Sequence, residues 1–289
     1  MKRFNDKIIL GTVQFGMDYG INNPNGKLSY IDSFKILDYA YKKGVRELDT
    51  ANNYGNSEEV IGSYFKQNPH KKFRINTKIS SKNDSLEVQM KESLKRLGNN
   101  KIHKLYFHSA ELYFYFKEDL EKNYSKYKNI FFNEIGVSVY TNEEIQLIID
   151  EKYIENIQAP FNLLDNYQIR GNVYEKIKNK GKSLDIRSVF LQGLFFKNIN
   201  NLKENLYPLK NSITELKKIS TQNRISIESL ALNYVKNYDF VNNVIIGVDS
   251  LEQLKSNFIS NNIKLSNLIL NQINSIEIKD RSLLNPSKW

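Results

Sequence analysis

Cysteine is absent from all 289 residues of the sequence. A disulfide framework, a thiolate metal site and a cysteine nucleophile are therefore excluded. Apolar runs stay well below the roughly 18 to 20 residues that a membrane helix needs. The first residues, MKRFNDKIILGTVQFG, lack the apolar segment and cleavage site of a signal peptide. We expect a cytoplasmic protein with no membrane contact.

Histidine is nearly as scarce, with only His70, His103 and His108 in the chain. Neither an HxH nor an HExxH pattern occurs, so a metal hydrolase or a metal-dependent barrel lyase would lack its usual ligands. We therefore predict no metal site.

Charge is unbalanced, because 42 Lys and Arg against 32 Asp and Glu give a formal net charge of +10. The lysines are scattered among Asn, Ile and Tyr rather than clustered, which argues against a nucleic-acid-binding face. We expect no nucleic-acid partner and a general attraction for small anions.

Linkers and repeats are also missing, since the five prolines are dispersed and no Pro-, Gly- or Ser-rich stretch divides the chain. The 40% hydrophobic, 12% aromatic and 26% charged residues are typical of a globular protein. We predict one domain over residues 1–289.

Short β-branched or aromatic runs alternate with amphipathic stretches of helical length, a pattern typical of parallel strands joined by helices. The predicted strands are Ile8–Thr12, Val45–Ala51, Phe73–Ile79, Lys104–His108, Ile130–Val139, Ile154–Ala159, Leu184–Phe190 and Val244–Val248. The predicted helices are Tyr30–Lys43, Ser57–Gln67, Ser85–Leu97, Leu112–Lys126, Asn142–Asp150, Val173–Lys180, one stretch around Ser212–Asn237, Leu251–Ser260 and Lys264–Ile278. Gly44 and Gly181 stand where helices should end.

Eight such units in one domain favour an α/β fold, the TIM (β/α)8 barrel, whose chemistry collects at the carboxyl ends of its strands. A doubly wound sheet is the alternative, but no GxGxxG follows the first strand.

Reactive side chains stand at or just after three consecutive predicted strands: Asp49, Tyr54, Lys78 and His108. Lys78 would be a costly core residue without a partner. A nearby ammonium favours a tyrosinate, so we expect the pKa of Tyr54 to fall from about 10 toward neutrality. Tyr54 would then protonate a carbonyl that His108 orients.

The motifs LDTANNYGNSEEVIG, INTKI and LYFHS, in this order and spacing, resemble the aldo-keto reductase superfamily. The resemblance continues through LGTVQFG, GVSVY, IQAPFNLLD, SVFLQGL and IIGVDSLEQLKSN, so it covers essentially the whole chain. It implies a (β/α)8 barrel that binds NADPH or NADH without a Rossmann motif and reduces the carbonyl of a small molecule.

The resemblance also assigns roles. Tyr54 would be the general acid, Lys78 its cationic neighbour, Asp49 the partner of Lys78, and His108 the group that orients the carbonyl. The implied cofactor-binding residues are Ser138 and Gln158 at the nicotinamide carboxamide, Gly193 and Gly247 at the pyrophosphate and adenosine half, and Ser250, Gln253 and Asn257 at the adenosine.

Two positions depart from the family. Arg187 stands where many relatives have a Tyr that stacks on nicotinamide, and it could instead contact the pyrophosphate, an acidic substrate, or a carboxylate at its strand end. Asp249 stands near the site where NADPH-dependent relatives bind the 2′-phosphate, which favours NADH, although Lys255 could compensate.

The short C-terminal segment DRSLLNPSKW predicts an open pocket that Trp289 could partly cover. LGTVQFGMDYG and RSVFLQG resemble bacterial reductases associated with surface-polysaccharide genes, which implies a sugar-linked carbonyl as substrate. We expect a monomer or weak homo-oligomer. A nicotinamide-cofactor-binding module with a protein partner and little turnover remains an alternative.

Overall fold

Eight parallel strands close into a barrel in this computed structural model, which describes residues 7–260 and 263–289. The strands follow one another around the barrel in chain order, and β1 pairs with β8 to close it. They are β1 Ile8–Gly11, β2 Glu47–Asp49, β3 Arg74–Ile79, β4 Ile102–Phe107, β5 Phe132–Ser138, β6 Asn156–Pro160, β7 Ser183–Arg187 and β8 Asn243–Gly247. The (β/α)8 prediction is confirmed, and the doubly wound alternative is wrong.

Most helices cover the outside of the barrel, whereas the short first helix lies at its carboxyl end. The helices are α1 Val13–Gly16, α2 Tyr30–Lys42, α3 Ser57–Gln67, α4 Leu86–Leu97, α5 Ala110–Ile130, α6 Asn142–Ile148, α7 Tyr167–Asn179, α8 Lys210–Gln222, α9 Ile227–Lys236, α10 Leu251–Ser260 and α11 Asn267–Asn274. Short 3₁₀ turns at Leu191–Phe196, Ile199–Asn201 and Glu204–Leu209 fill the connection from β7 to α8.

Local chemistry explains most helix boundaries. Helix α3 begins at Ser57 as predicted, and Gly44 and Gly181 have φ of +94° and +70° just after α2 and α7. Glu58, in the first turn of α3, also accepts two side-chain hydrogen bonds. Thr77 Oγ1 donates to its carboxylate at 2.6 Å, and Arg96 Nε donates at 2.8 Å.

Several predicted boundaries are wrong: helix α7, for example, begins at Tyr167 rather than Val173, and β2 covers only Glu47–Asp49 of the predicted Val45–Ala51. The stretch around Ser212–Asn237 is two helices, because Arg224 has a φ of +53° and Ser226 starts α9 by accepting a hydrogen bond from the backbone of Ser229. Ile130 ends α5 instead of starting β5. Strand β7 ends at Arg187 rather than Phe190, since Ser188 has a φ of +60° and turns the chain away.

The barrel interior holds a buried polar group toward its amino end, which we call the amino-end cluster: Glu47, Asn76, Lys104, Tyr106 and Asp185. Lys104 Nζ lies 2.7 Å from Asp185 Oδ2 and 3.5 Å from Glu47 Oε1. Tyr106 donates its hydroxyl to the same Asp185 oxygen at 2.7 Å, and Asn76 donates to Glu47 Oε1 at 2.8 Å. Lys104 therefore faces two carboxylates, and Arg74 Nη2, 3.0 Å from Glu47 Oε2, supplies a second positive charge from outside the cluster.

Among residues 7–260 and 263–289, no helix is both long and apolar enough to span a bilayer.

Candidate active site

A cavity of about 380 Å³ lies at the carboxyl end of the barrel. Of the residues predicted for the site, Asp49, Tyr54, His108, Ser138, Gln158, Arg187, Gly193, Gly247 and Gln253 line it. They come from six different strands or from the loops and the helix that follow them, as expected where parallel strands end together.

Asp49 anchors a buried network beneath this cavity. Lys78 Nζ donates to Asp49 Oδ2 at 2.5 Å and to the carbonyl of Thr50 at 2.8 Å. Gln158 Nε2 donates to Asp49 Oδ1 at 2.8 Å. Lys78 is only 1% exposed, and its pKa is lowered because burial outweighs the attraction of Asp49.

The turn between β2 and α3 presents Tyr54 to the cavity. Its backbone is fixed by hydrogen bonds from the amide of Tyr54 to Ala51 O and from the amide of Ser57 to Tyr54 O. Helix α1 packs directly on this turn at Gly16, where a Cβ atom would lie 1.7 Å from Tyr54 O. Only glycine permits that approach, so α1 helps to set the position of the phenol.

The expectation that the pKa of Tyr54 falls toward neutrality is wrong. Lys78 Nζ lies 5.1 Å from the centre of the Tyr54 ring. Burial, followed by the negative charge of Asp49, nevertheless raises the pKa of Tyr54 well above 10. The phenol is therefore protonated at neutral pH, which is the form that a proton donor needs.

His108 follows β4 and lies beside Tyr54, with ring centres 6.1 Å apart and ring planes at 86°. Burial, then the charges of Lys78 and Arg187, lower the pKa of His108 to about 3. The imidazole is neutral at physiological pH and can therefore donate or accept one hydrogen bond toward the cavity.

Arg187 ends β7 and lines the cavity, half-buried. Its Nη2 donates to Val139 O at 2.8 Å, its Nη1 donates to Ser188 Oγ at 3.2 Å, and its Cζ lies 3.9 Å from the centre of the Tyr140 ring. Within the described ranges no carboxylate lies within 4.0 Å of Arg187, so the strand-end salt bridge does not form.

Gln14 is a cavity residue that the sequence reasoning missed. It follows β1, is 9% exposed, and its Oε1 has no hydrogen-bond partner in the described part of the chain. It packs on Gly247, where a Cβ atom would lie 2.9 Å from Gln14 Oε1. The only sequence signal was a polar residue three positions beyond a strand end.

This part of the cavity fits a nicotinamide dinucleotide. The unpartnered Gln14 oxygen can accept a hydrogen bond from a ribose hydroxyl, and Gly247 leaves the wall open to a close contact. Gly193 has a φ of +86°, which a side chain would strain. Ser138 is 4% exposed and lies at the end of β5.

The predicted adenosine contacts divide into two groups. Gln253 lines the cavity, as does Asp249 near the expected 2′-phosphate position, and burial raises the pKa of Asp249. Ser250 and Asn257 lie outside its wall, where Ser250 Oγ accepts from the amide of Gln253 at 3.2 Å and Asn257 is buried on α10. Lys255 also lies outside it, 3.8 Å from Glu252.

Two further loops reach the mouth. Tyr19 follows α1 and accepts a hydrogen bond from Gln192 Nε2 at 3.0 Å. Its pKa is raised to about 12 by burial and, to a smaller extent, by the neighbouring Tyr54 phenol. At the C-terminus, Ser287 lines the cavity, whereas Trp289 donates its indole N–H to Leu283 O at 3.0 Å and does not line it. The predicted cover by Trp289 is therefore wrong.

The chain belongs to the Aldo/keto reductase family, whose sequence model matches residues 7–278. Among solved structures, an aldo-keto reductase of Bacillus halodurans in its holo form has a TM-score of 0.75 at 18% identity, with 95% of this chain and 94% of that chain covered. An aldo-keto reductase from a Medee basin deep-sea metagenome has a TM-score of 0.68 at 19% identity, covering 93% and 90% of the two chains. These likenesses show the fold.

Norsolorinic acid reductase B of Dothistroma septosporum is 30% identical over 121 residues. The match covers 35% of this chain and 30% of that protein, so the chain aligns with less than a third of this curated relative.

Proposed function

We propose that this protein is an NAD(P)H-dependent oxidoreductase that reduces an aldehyde or ketone to an alcohol. The observation that carries the proposal is the convergence of a protonated Tyr54, a neutral His108 and the buried Asp49–Lys78 pair on one cavity. Membership of the Aldo/keto reductase family supports the same reaction.

The cofactor would supply hydride to the carbonyl carbon. Ser138 and Gln158 would hold its carboxamide group, since both lie on neighbouring strands in the cavity wall. Gln158 is already oriented by its hydrogen bond to Asp49, which leaves its Oε1 to accept from the carboxamide N–H₂. The rest of the cofactor, its riboses, pyrophosphate and adenine, would contact Gln14, Gly193, Gly247 and Gln253.

Tyr54 and His108 would act on the carbonyl oxygen. Both can donate a hydrogen bond to it, which polarises the C=O bond and fixes its orientation. Tyr54 would then release its phenolic proton to the alkoxide oxygen. Lys78, 5.1 Å from the ring centre, would stabilise the resulting tyrosinate until solvent restores the proton.

Asp249 leads us to propose NADH as the preferred cofactor. Its carboxylate lines the cavity and would repel a 2′-phosphate while accepting a hydrogen bond from a 2′-hydroxyl. Lys255 lies outside the cavity wall and near Glu252, so the compensation considered above gains no support.

We further propose a sugar-linked carbonyl as the substrate class, reduced by a cytoplasmic monomer or weak homo-oligomer. The polar side chains at the mouth, among them Tyr19, Asn22, Asn53 and Gln192, support a polar substrate.

The test combines cofactor titration with a turnover assay. We expect NADH to quench the protein's fluorescence, with saturation at micromolar concentrations. We also expect the protein to oxidise NADH when aldehydes are added. Binding without turnover of any aldehyde in a broad panel would instead identify a cofactor-binding module. Failure to bind either cofactor would contradict both functions.

A further inference from the structure

Arg187 carries a charge that has no ion-pair partner among the described residues. A guanidinium is positive at every physiological pH, and a half-buried one without a carboxylate is costly unless a ligand compensates it. Its three partners, Val139 O, Ser188 Oγ and the Tyr140 ring, are all uncharged. They orient the guanidinium but leave its charge available.

The carboxylates of the surrounding elements are already engaged. Asp49 is held by Lys78 at 2.5 Å and by Gln158 at 2.8 Å. Asp165, in the loop after β6, accepts two hydrogen bonds from Arg170, at 2.6 Å and 2.8 Å. Neither is free to compensate Arg187.

The guanidinium is also pre-positioned. Of its five N–H groups, two have partners in the described residues, which leaves three for a ligand. The Tyr140 ring at 3.9 Å restricts its tilt, so little conformational entropy would be lost on binding. A planar fork held in this way suits the two oxygens of a carboxylate or phosphate.

Arg187 lines the same cavity as Tyr54 and His108. Its charge acts, after larger contributions from burial, on the pKa values of Tyr54, Lys78 and His108. An anion bound to Arg187 would therefore belong to a molecule whose other end can reach the Tyr54 hydroxyl.

We propose that Arg187 binds an anionic group of the substrate, so that the preferred substrates are aldehydes or ketones that carry a carboxylate or phosphate. This inference rests on the reductase function proposed above. The pyrophosphate of the cofactor is the other possible source of such an anion, and the experiment separates the two.

Matched substrates provide the first arm. We would compare 4-carboxybenzaldehyde with its neutral methyl ester, methyl 4-formylbenzoate, in wild type, Arg187→Gln and Arg187→Lys. Wild type should prefer the acid by about tenfold or more in kcat/KM, through KM, as expected for one charge-assisted pair. Arg187→Gln should lose the preference and Arg187→Lys should partly restore it. Equal preference in wild type and Arg187→Gln would overturn the proposal.

A charge-matched control excludes a general field effect. Arg224→Gln removes one positive charge from the exposed turn between α8 and α9, outside the cavity wall. We expect it to keep the preference for the acid. Loss of the preference in Arg224→Gln as well would show that net charge, rather than Arg187, selects the substrate.

A binding arm separates substrate from cofactor. Fluorescence titration should give similar NADH dissociation constants for wild type and Arg187→Gln. NADH affinity reduced tenfold or more, with the acid preference intact, would mean that Arg187 binds the pyrophosphate and would overturn the proposal.

Calorimetry distinguishes failure of this inference from failure of the reductase function. 4-(Hydroxymethyl)benzoate, the alcohol product, should bind wild type and not Arg187→Gln, with both melting at similar temperatures. If wild type reduces neither these aldehydes nor any other in the broad panel, the reductase function fails, and this arm alone decides whether Arg187 binds an anion. Equal binding by the two proteins would overturn the proposal in either case.

Discussion

Each end of the barrel interior contains a buried Lys–Asp ion pair, but the two pairs have different surroundings. At the amino end, Lys104 lies 2.7 Å from Asp185, and at the carboxyl end Lys78 lies 2.5 Å from Asp49. All four side chains are nearly inaccessible to solvent. The charged groups around Lys104 all have protein partners, whereas the pair at Lys78 borders a cavity with an unpartnered polar atom, Gln14 Oε1, in its wall.

The pKa shifts of the two lysines differ accordingly. Burial lowers the pKa of Lys104, but Asp185 and Glu47 together outweigh it, so the pKa is raised. Lys78 has only Asp49, and burial prevails, so its pKa is lowered. A buried lysine with two carboxylates is a structural group, whereas one with a single carboxylate beside a cavity can respond to charge that forms during a reaction.

Replacing each lysine by methionine separates these roles most clearly. Lys104→Met should lower the free energy of unfolding by about 3–5 kcal/mol, because Asp185 is left buried and unpaired. Lys78→Met should have a comparable cost and also reduce kcat by about 10²-fold or more, because the tyrosinate loses its cation. Denaturant unfolding and turnover per folded molecule are the measurements. Loss of turnover in folded Lys104→Met would remove the distinction.

His108, at the carboxyl end, should make the stability of the protein depend on pH. Its pKa is about 3 in the folded protein against 6.5 in the unfolded chain, so the unfolded state binds more protons between these values. Stability contributed by neutral His108 is complete above about pH 6.5 and is lost as pH falls. Between pH 6.5 and 4.5 wild type should lose about 2–3 kcal/mol more than His108→Gln. Parallel stability curves for the two proteins would contradict this shift.

Two glycines test the packing at each end. Gly136→Ala would place a Cβ atom 2.5 Å from Tyr106 Cε1 and 2.6 Å from Asn156 O, and should destabilise the fold by about 1–3 kcal/mol without affecting NADH binding. Gly247→Ala meets the flexible Gln14 side chain and should weaken NADH binding several-fold at little cost in stability. Melting curves and NADH titrations of both variants would show whether the effects separate in this way.

Substitution of Asp249 should have the smallest effect, a change in cofactor affinity. Asp249→Asn removes the repulsion of a 2′-phosphate and should tighten NADPH binding by about fivefold, with a smaller change for NADH. Glu252→Gln, on the exposed face of α10 with 78% of its side chain accessible, is the matched control and should change neither affinity. An unchanged NADPH affinity in Asp249→Asn would separate Asp249 from cofactor choice.

The barrel and the polar groups at its carboxyl end could be predicted because both depend on the pattern of neighbouring residues along the chain. Alternating strand and helix patterns define the units, and polar residues at strand ends are visible in a single chain. The split between α8 and α9 was not visible, since the turn depends on Arg224 in a left-handed conformation and has no Gly or Pro to mark it.

Features that depend on distant partners were also beyond the sequence. The amino-end cluster joins Lys104 to a residue 81 positions away. The raised pKa of Tyr54 depends on burial and on its distance from Asp49, and the unpartnered Gln14 oxygen is a result of packing against Gly247. Contacts between residues far apart in the chain, and the burial that they cause, cannot be read from the pattern of neighbouring residues.

Removal of one phenolic hydroxyl at each end tests the central claim most directly. Tyr54→Phe and Tyr106→Phe should be compared for NADH affinity, stability and aldehyde turnover. We predict that Tyr54→Phe loses about 10²–10⁴-fold in kcat with unchanged NADH affinity, whereas Tyr106→Phe loses about 1–3 kcal/mol of stability, because its hydrogen bond to Asp185 is gone, and keeps its turnover. Wild-type turnover in Tyr54→Phe would contradict the account.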